Sequence, residues 1–139
     1  MNVPDSEILK KVQQWIKYGN EDIQVARHVM KLTGDAPYRL VAYHAQQCAE
    51  KYLKAYLVYH RVDFPYTHRI LLLLELCPDR DAWDNNLKNA EELTPFAVST
   101  RYPGEDEIVT ESEARRAVDI AQLVRNTIRS ELQKKGVAF

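Results

Sequence analysis

Glycine is scarce in this chain, four in 139 residues, and none belongs to a glycine-rich loop of the kind that cradles phosphate. Cysteine is scarcer. Cys48 and Cys77 lack any metal-ligand spacing and form no disulfide framework, so no metal is expected. Long apolar runs are missing too: the longest aliphatic block, Ile70 to Leu74, stops at Glu75, well short of the roughly 20 residues that span a bilayer. No basic segment followed by an apolar run opens the chain. These absences predict a cytoplasmic protein with no membrane segment and no cofactor. A charge excess is also missing, with 19 Lys plus Arg against 20 Asp plus Glu and a net charge of −1. Global attraction to nucleic acid is thereby excluded, and any polyanion site must be a local patch. Repeats and low-complexity tracts are absent as well.

What remains is a chain of single-domain length, 45% hydrophobic, and residues 1–139 read as one domain. Six prolines punctuate it, and the intervals between them carry helical periodicity without an alternating strand pattern. The fold class expected is all-α, an up-and-down helical bundle of about five helices, three of them long. The first helix runs from about Asp5 to Leu32, with Ile8, Val12, Trp15, Gly19, Ile23, Ala26 and Met30 along one stripe, and Thr33-Gly34-Asp35 ends it. The second starts near Pro37 and reaches about Tyr59. It is apolar over most of its circumference, which places it at the centre of the bundle. Thr67 is expected to cap a short helix through Leu76, and another short helix spans Trp83 to Leu93. Residues 95–109 read as loop. Thr110-Glu111-Ser112-Glu113 is a capping box opening the last helix, which Gly136 closes.

The most informative stretch is 43–57, Tyr-His-Ala-Gln-Gln-Cys-Ala-Glu-Lys-Tyr-Leu-Lys-Ala-Tyr-Leu, which puts two amides, a histidine and two lysines on an otherwise apolar helix. A helix serving only as core would not need them. With Trp15, Gly19, Asp22, Ile23 and Ala26 before it, and Pro65-Tyr66-Thr67-His68, Arg101-Tyr102-Pro103, Glu113-Ala114 and Ala117 after it, this stretch closely resembles the HEPN domain family. The resemblance covers nearly the whole chain. It implies a small all-α module with a link to nucleotide binding, of the type found beside minimal nucleotidyltransferases in toxin–antitoxin-like systems. It also implies a homodimer formed by helix packing.

Function must then come from side chains on helices and from the Ser99 to Val109 loop. His44, Gln47 and Lys51 share a helix face at i, i+3 and i+7, with Lys54 a turn further on. Such a strip could grip the phosphate and base edges of a nucleotide or RNA strand, or be a solvated face with ordinary Glu50–Lys54 pairing. Gln46 reads as a buried hydrogen-bonding residue that fastens the helix to its neighbours. His68, and Arg101 with Tyr102 for phosphate and base stacking, complete the nucleotide- or RNA-binding candidates; for the loop pair the alternative is a docking corner.

Some HEPN members are metal-independent ribonucleases that carry an Arg followed after four to six residues by His toward the C-terminal part of the bundle. No histidine follows His68 here, and Arg125-Asn126 matches only the start of that pattern. Arg39 to His44 and Arg61 to His68 have the spacing but not the position. Five positions along a continuous helix rotate Arg39 about 140° away from His44. The reading is therefore a binding or partner module without intrinsic catalysis. The alternative is a ribonuclease in which His44 or His68 acts with Arg101, because cleavage through the 2′-hydroxyl needs a near-neutral acid or base and a cation.

Overall fold

A computed structural model describes residues 6–32, 34–97 and 108–139. In chain order its helices are α1 (Ser6–Met30), α2 (Tyr38–Tyr59), α3 (Ile70–Leu76) and α4 (Glu111–Lys134), with three 3₁₀ segments at Arg80–Ala82, Asp84–Leu87 and Ala90–Ala97 between the last two. The described residues contain no strand. The three long helices form an all-α bundle in which α2 packs against both α1 and α4.

The central place of α2 follows from its sequence. Ala45, Cys48, Ala49, Tyr52, Leu53, Ala55, Tyr56 and Leu57 are all fully buried, and each large side chain among them contributes about 1.5–3 kcal/mol by leaving water. The facing stripes are amphipathic. From α1 come Val12, Ile16, Gly19, Ile23 and Ala26, and from α4 come Ala114, Ala117, Ala121, Val124, Ile128 and Leu132. At the α1–α2 contact Gly19 is required by space, since a Cβ there would lie 2.9 Å from Tyr52 Cδ2 and 3.0 Å from Cε2. The bare backbone at Gly19 leaves room for the Tyr52 ring against α1.

The ends of α4 are built as the sequence predicts. Thr110 accepts from the Glu113 amide at 3.1 Å while the Glu113 carboxylate accepts from the Thr110 amide at 3.2 Å. At the other end Gly136, at φ 95, lets its own amide reach Gln133 O and the Val137 amide reach Leu132 O, with Val137 buried in the core.

Between α2 and α4 the outcome differs from the sequence reading. Thr67 does not cap α3: its hydroxyl accepts from Arg69 N at 3.1 Å, and the helix begins at Ile70. The first free amides of α3 are satisfied instead from a distance, Ile70 N by Thr94 Oγ1 at 3.0 Å and Leu71 N by Glu91 Oε1 at 2.9 Å. The expected short helix from Trp83 to Leu93 is replaced by separate 3₁₀ segments, and the last of them continues through Pro95 to Ala97, inside the stretch read as loop. Arg101, Tyr102 and most of the Ser99 to Val109 loop lie outside the described residues.

Candidate functional site

The polar residues of α2 are organised around two carboxylates. Asp22 of α1 is 8% exposed and holds His44 Nδ1 at 2.8 Å on one oxygen and the Lys51 ammonium on the other. Glu50 of α2 is more deeply buried, at 3% exposed. Its Oε2 accepts from Lys54 Nζ at 2.9 Å, and its Oε1 takes His68 Nδ1 at 2.7 Å and Gln46 Nε2 at 3.1 Å. Gln46 also donates to the His68 carbonyl at 3.1 Å and accepts from Gln47 Nε2 at 2.6 Å. Lys54 sits between aromatic rings, 5.5 Å from Trp15 and 5.6 Å from Phe64.

Burial alone would raise the Glu50 carboxyl, but the hydrogen bonds from Lys54, Gln46 and His68 outweigh it and hold the group below the usual carboxylate range. An ionised carboxylate only accepts, so in each histidine Nδ1 carries the proton and Nε2 is the ring nitrogen left over. Each imidazole also meets a tyrosine edge-on, His44 with Tyr43 at 5.1 Å and His68 with Tyr66 at 5.4 Å.

A second polar network links all three long helices. Tyr52 donates its hydroxyl to Asn20 Oδ1, which also accepts from Arg125 Nε at 3.0 Å, and Arg129 Nη1 donates to the Tyr52 oxygen at 3.3 Å. Arg125 lies over the Tyr52 ring at 5.9 Å, and Arg129 lies over Phe139 at 4.3 Å. Both arginines are half-buried and line a groove of about 420 Å³ between α1 and α4, together with Gln13, Ile16, Lys17, Asn20, Glu21, Gln24 and Phe139. Burial raises the Tyr52 phenol above its ordinary value, against the pull of the hydrogen bond and charge of the arginines.

The match to known proteins decides the family. The model for the HEPN domain matches residues 12–131. This chain belongs to the HEPN domain family. Its fold is similar to TT1696 from Thermus thermophilus, with TM-score 0.72 and 25% identity over 86% of this chain and 97% of that one. It is also similar to ST0689, an archaeal HEPN homologue, with TM-score 0.68 and 22% identity over 86% of this chain and 96% of that one. Among curated proteins nothing matches the chain.

In this HEPN domain the strip read from α2 is divided. His44 and Lys51 converge on Asp22 and stay partly open, with side-chain exposures of 29% and 22%. Gln47 and Lys54 are buried, which overturns the picture of a solvated face: the Glu50–Lys54 pair exists, but inside the protein. His68 joins that buried pair from the segment before α3. Gln46 is fully buried and ties α2 to that segment, as read. The residues that sequence reasoning missed are Asp22 as an acceptor and the whole Asn20–Tyr52–Arg125–Arg129 network. Among the described residues no His, Cys, Asp and Glu cluster could hold a metal ion, and no helix is long and apolar enough to cross a membrane.

Proposed function

We propose that this HEPN domain binds the phosphate of a nucleotide or RNA strand at the groove between α1 and α4, and works beside a separate minimal nucleotidyltransferase without catalysis of its own. One observation carries the location. Along residues 111–135, Arg115, Arg116, Lys134 and Lys135 each pair with a carboxylate, Glu111, Glu92, Glu131 and Asp79. Arg125 and Arg129 are instead held by an amide oxygen, a phenol and two aromatic rings. Their charge is positioned but not neutralised by an ion pair among the described residues, and Lys17 adds to it, with Glu21 an opposing charge in the groove lining. Guanidinium groups in that state are suited to phosphate. Lys51 and Lys54 are less suited, because each is already bound to a carboxylate.

Thermal melting with ATP, GTP or a short single-stranded RNA tests the proposal. A ligand at a hundredfold excess over Kd stabilises by about 2.7 kcal/mol, a shift of several degrees. That shift should vanish in Arg125→Ala and in Arg129→Ala and persist in Lys51→Ala. No shift with any of the three ligands refutes it.

A second reading rests on a different observation, the two imidazoles held at Nδ1 by carboxylates. This is how a protein fixes a histidine tautomer for acid–base work, and it keeps a metal-independent ribonuclease in view. Incubation with cellular RNA in EDTA, beside His44→Ala and His68→Ala, decides it: cleavage lost in either variant supports this reading, and intact RNA removes it.

A further inference from the structure

We propose that His44 is a phosphoryl acceptor, a modification site at which Nε2 of the imidazole takes the phosphoryl group of an acyl phosphate. The site is separate from the groove between α1 and α4. Asp22, which holds His44, lies about 200° around α1 from Asn20, the α1 residue that meets Arg125.

The chain has four histidines, and their surroundings differ. His28 is exposed, and the histidine ion pairs among the described residues are those of His44 and His68. His60 has its Nε2 buried, out of reach of a reagent. His44 and His68 each give Nδ1 to a carboxylate whose other oxygen takes a lysine, Asp22 with Lys51 in one case and Glu50 with Lys54 in the other. The lysines separate the two. Lys54 is buried between Trp15 and Phe64, whereas the Lys51 side chain is 22% exposed and that of His44 is 29% exposed. Of the four, His44 alone combines a ring open to solvent, a buried carboxylate on Nδ1 and a reachable cation on that same carboxylate.

Each part has a task in the transfer. Because Nδ1 carries the proton, the lone pair available for attack is on Nε2, and the carboxylate on Nδ1 raises its basicity. Nε2 attacks phosphorus and an N–P bond forms. The P–O bond to the acyl group breaks, and the donor's carboxylate leaves with that electron pair. No proton has to move. With both nitrogens substituted the ring becomes a cation, and Asp22 against Nδ1 stabilises that charge. Lys51 acts on the other reactant. On its own the Asp22 carboxylate would repel a phosphoryl donor, and the ammonium on its second oxygen offsets that repulsion. An ammonium has three N–H donors, of which the bond to Asp22 takes one, so Lys51 can add a charge-assisted hydrogen bond to the phosphoryl oxygens. Lys54, enclosed by two rings, cannot do the same for His68.

Incubation of the whole chain with acetyl phosphate at neutral pH, followed by mass spectrometry of the intact protein and of its peptides, tests the proposal. The expected product carries one phosphoryl group, on His44, labile in acid and stable in alkali as an N–P bond is. Mapping the label on the wild type requires no variant to fold. Lys51→Ala should slow the labelling about tenfold, the loss of one charge-assisted hydrogen bond, while His68→Gln should label as the wild type does. In the urea-unfolded chain the preference for His44 over the other three histidines should vanish. An acid-labile label that favours His28 or His68 in the native chain, or none on any histidine, overturns the proposal. Labelling of His44 that is equally fast in Lys51→Ala, or equally selective in the unfolded chain, shows an imidazole reacting by exposure alone and overturns it as well.

Discussion

Lys54→Met removes a cation from a carboxylate that is almost wholly out of water. Glu50 Oε2 has Lys54 as its donor at 2.9 Å, while Oε1 keeps His68 and Gln46. Breaking a buried pair from one side costs about 3–5 kcal/mol. Here the retained donors on Oε1 place the cost near the lower end, about 3 kcal/mol. Methionine matches the lysine stem between Trp15 and Phe64, so little cavity penalty is added. Glu50→Gln in the same chain removes the stranded charge and should recover at least half of the loss. The pH dependence has a definite sign. Glu50 is depressed in the wild type, so its contribution is present above the unfolded carboxylate range and is lost as pH falls through the lower folded value. In Lys54→Met that depression is weakened and Glu50 takes up a proton sooner, so the gap between variant and wild type narrows below about pH 5. Urea denaturation at pH 7 and at pH 4.5 measures both effects. A Lys54→Met variant within 1 kcal/mol of wild type at pH 7, or no recovery in the double variant, would refute the reasoning.

Three further outcomes are expected. Gly19→Ala drives a Cβ to 2.9 Å from the Tyr52 ring; overpacking at about 1–3 kcal/mol exceeds the helix-propensity gain of up to about 1 kcal/mol, so the melting temperature should drop by a few degrees, and an unchanged or raised value would show that Tyr52 moves freely. His60, whose Nε2 is buried without a partner among the described residues, is held below the ordinary histidine value by burial and then by Lys135; its contribution is present above the unfolded pKa and lost on acidification. His60→Phe should therefore gain on the wild type as pH falls from 7 to 5, and a constant difference would contradict this. Cys48 and Cys77 are both pushed up to about 12 by burial, so native protein should resist iodoacetamide at pH 8 while urea-unfolded protein is alkylated at both sites; rapid native labelling would show that the core opens.

Helix existence and the buried stripes could be read from spacing alone, because Val12, Ile23, Ala121, Ile128 and Leu132 recur at helical intervals and local capping chemistry marks both ends of α4. The start of α3 could not, since Thr67 has the chemistry of a cap while the groups that serve the helix, Thr94 and Glu91, come from about twenty residues away. The α2 strip failed for a related reason. Helical angle places Lys54 beside Lys51, but only tertiary packing shows that Phe64 and Trp15 close over the former and leave the latter partly open. The arginine pair was readable in retrospect. Arg125 and Arg129 have no Asp or Glu three or four residues away on either side, whereas Arg115, Lys134 and Lys135 do. What spacing could not supply was Asn20 and Tyr52, which reach the arginines from two other helices.

Backbone amide NMR of the labelled protein titrated with adenosine monophosphate tests where the ligand sits. The proposed site predicts shifts concentrated at Lys17, Asn20, Arg125, Arg129 and Phe139, saturating with one ligand per chain. Shifts centred on His44, Lys51 and His68 instead, or none at all, would contradict it.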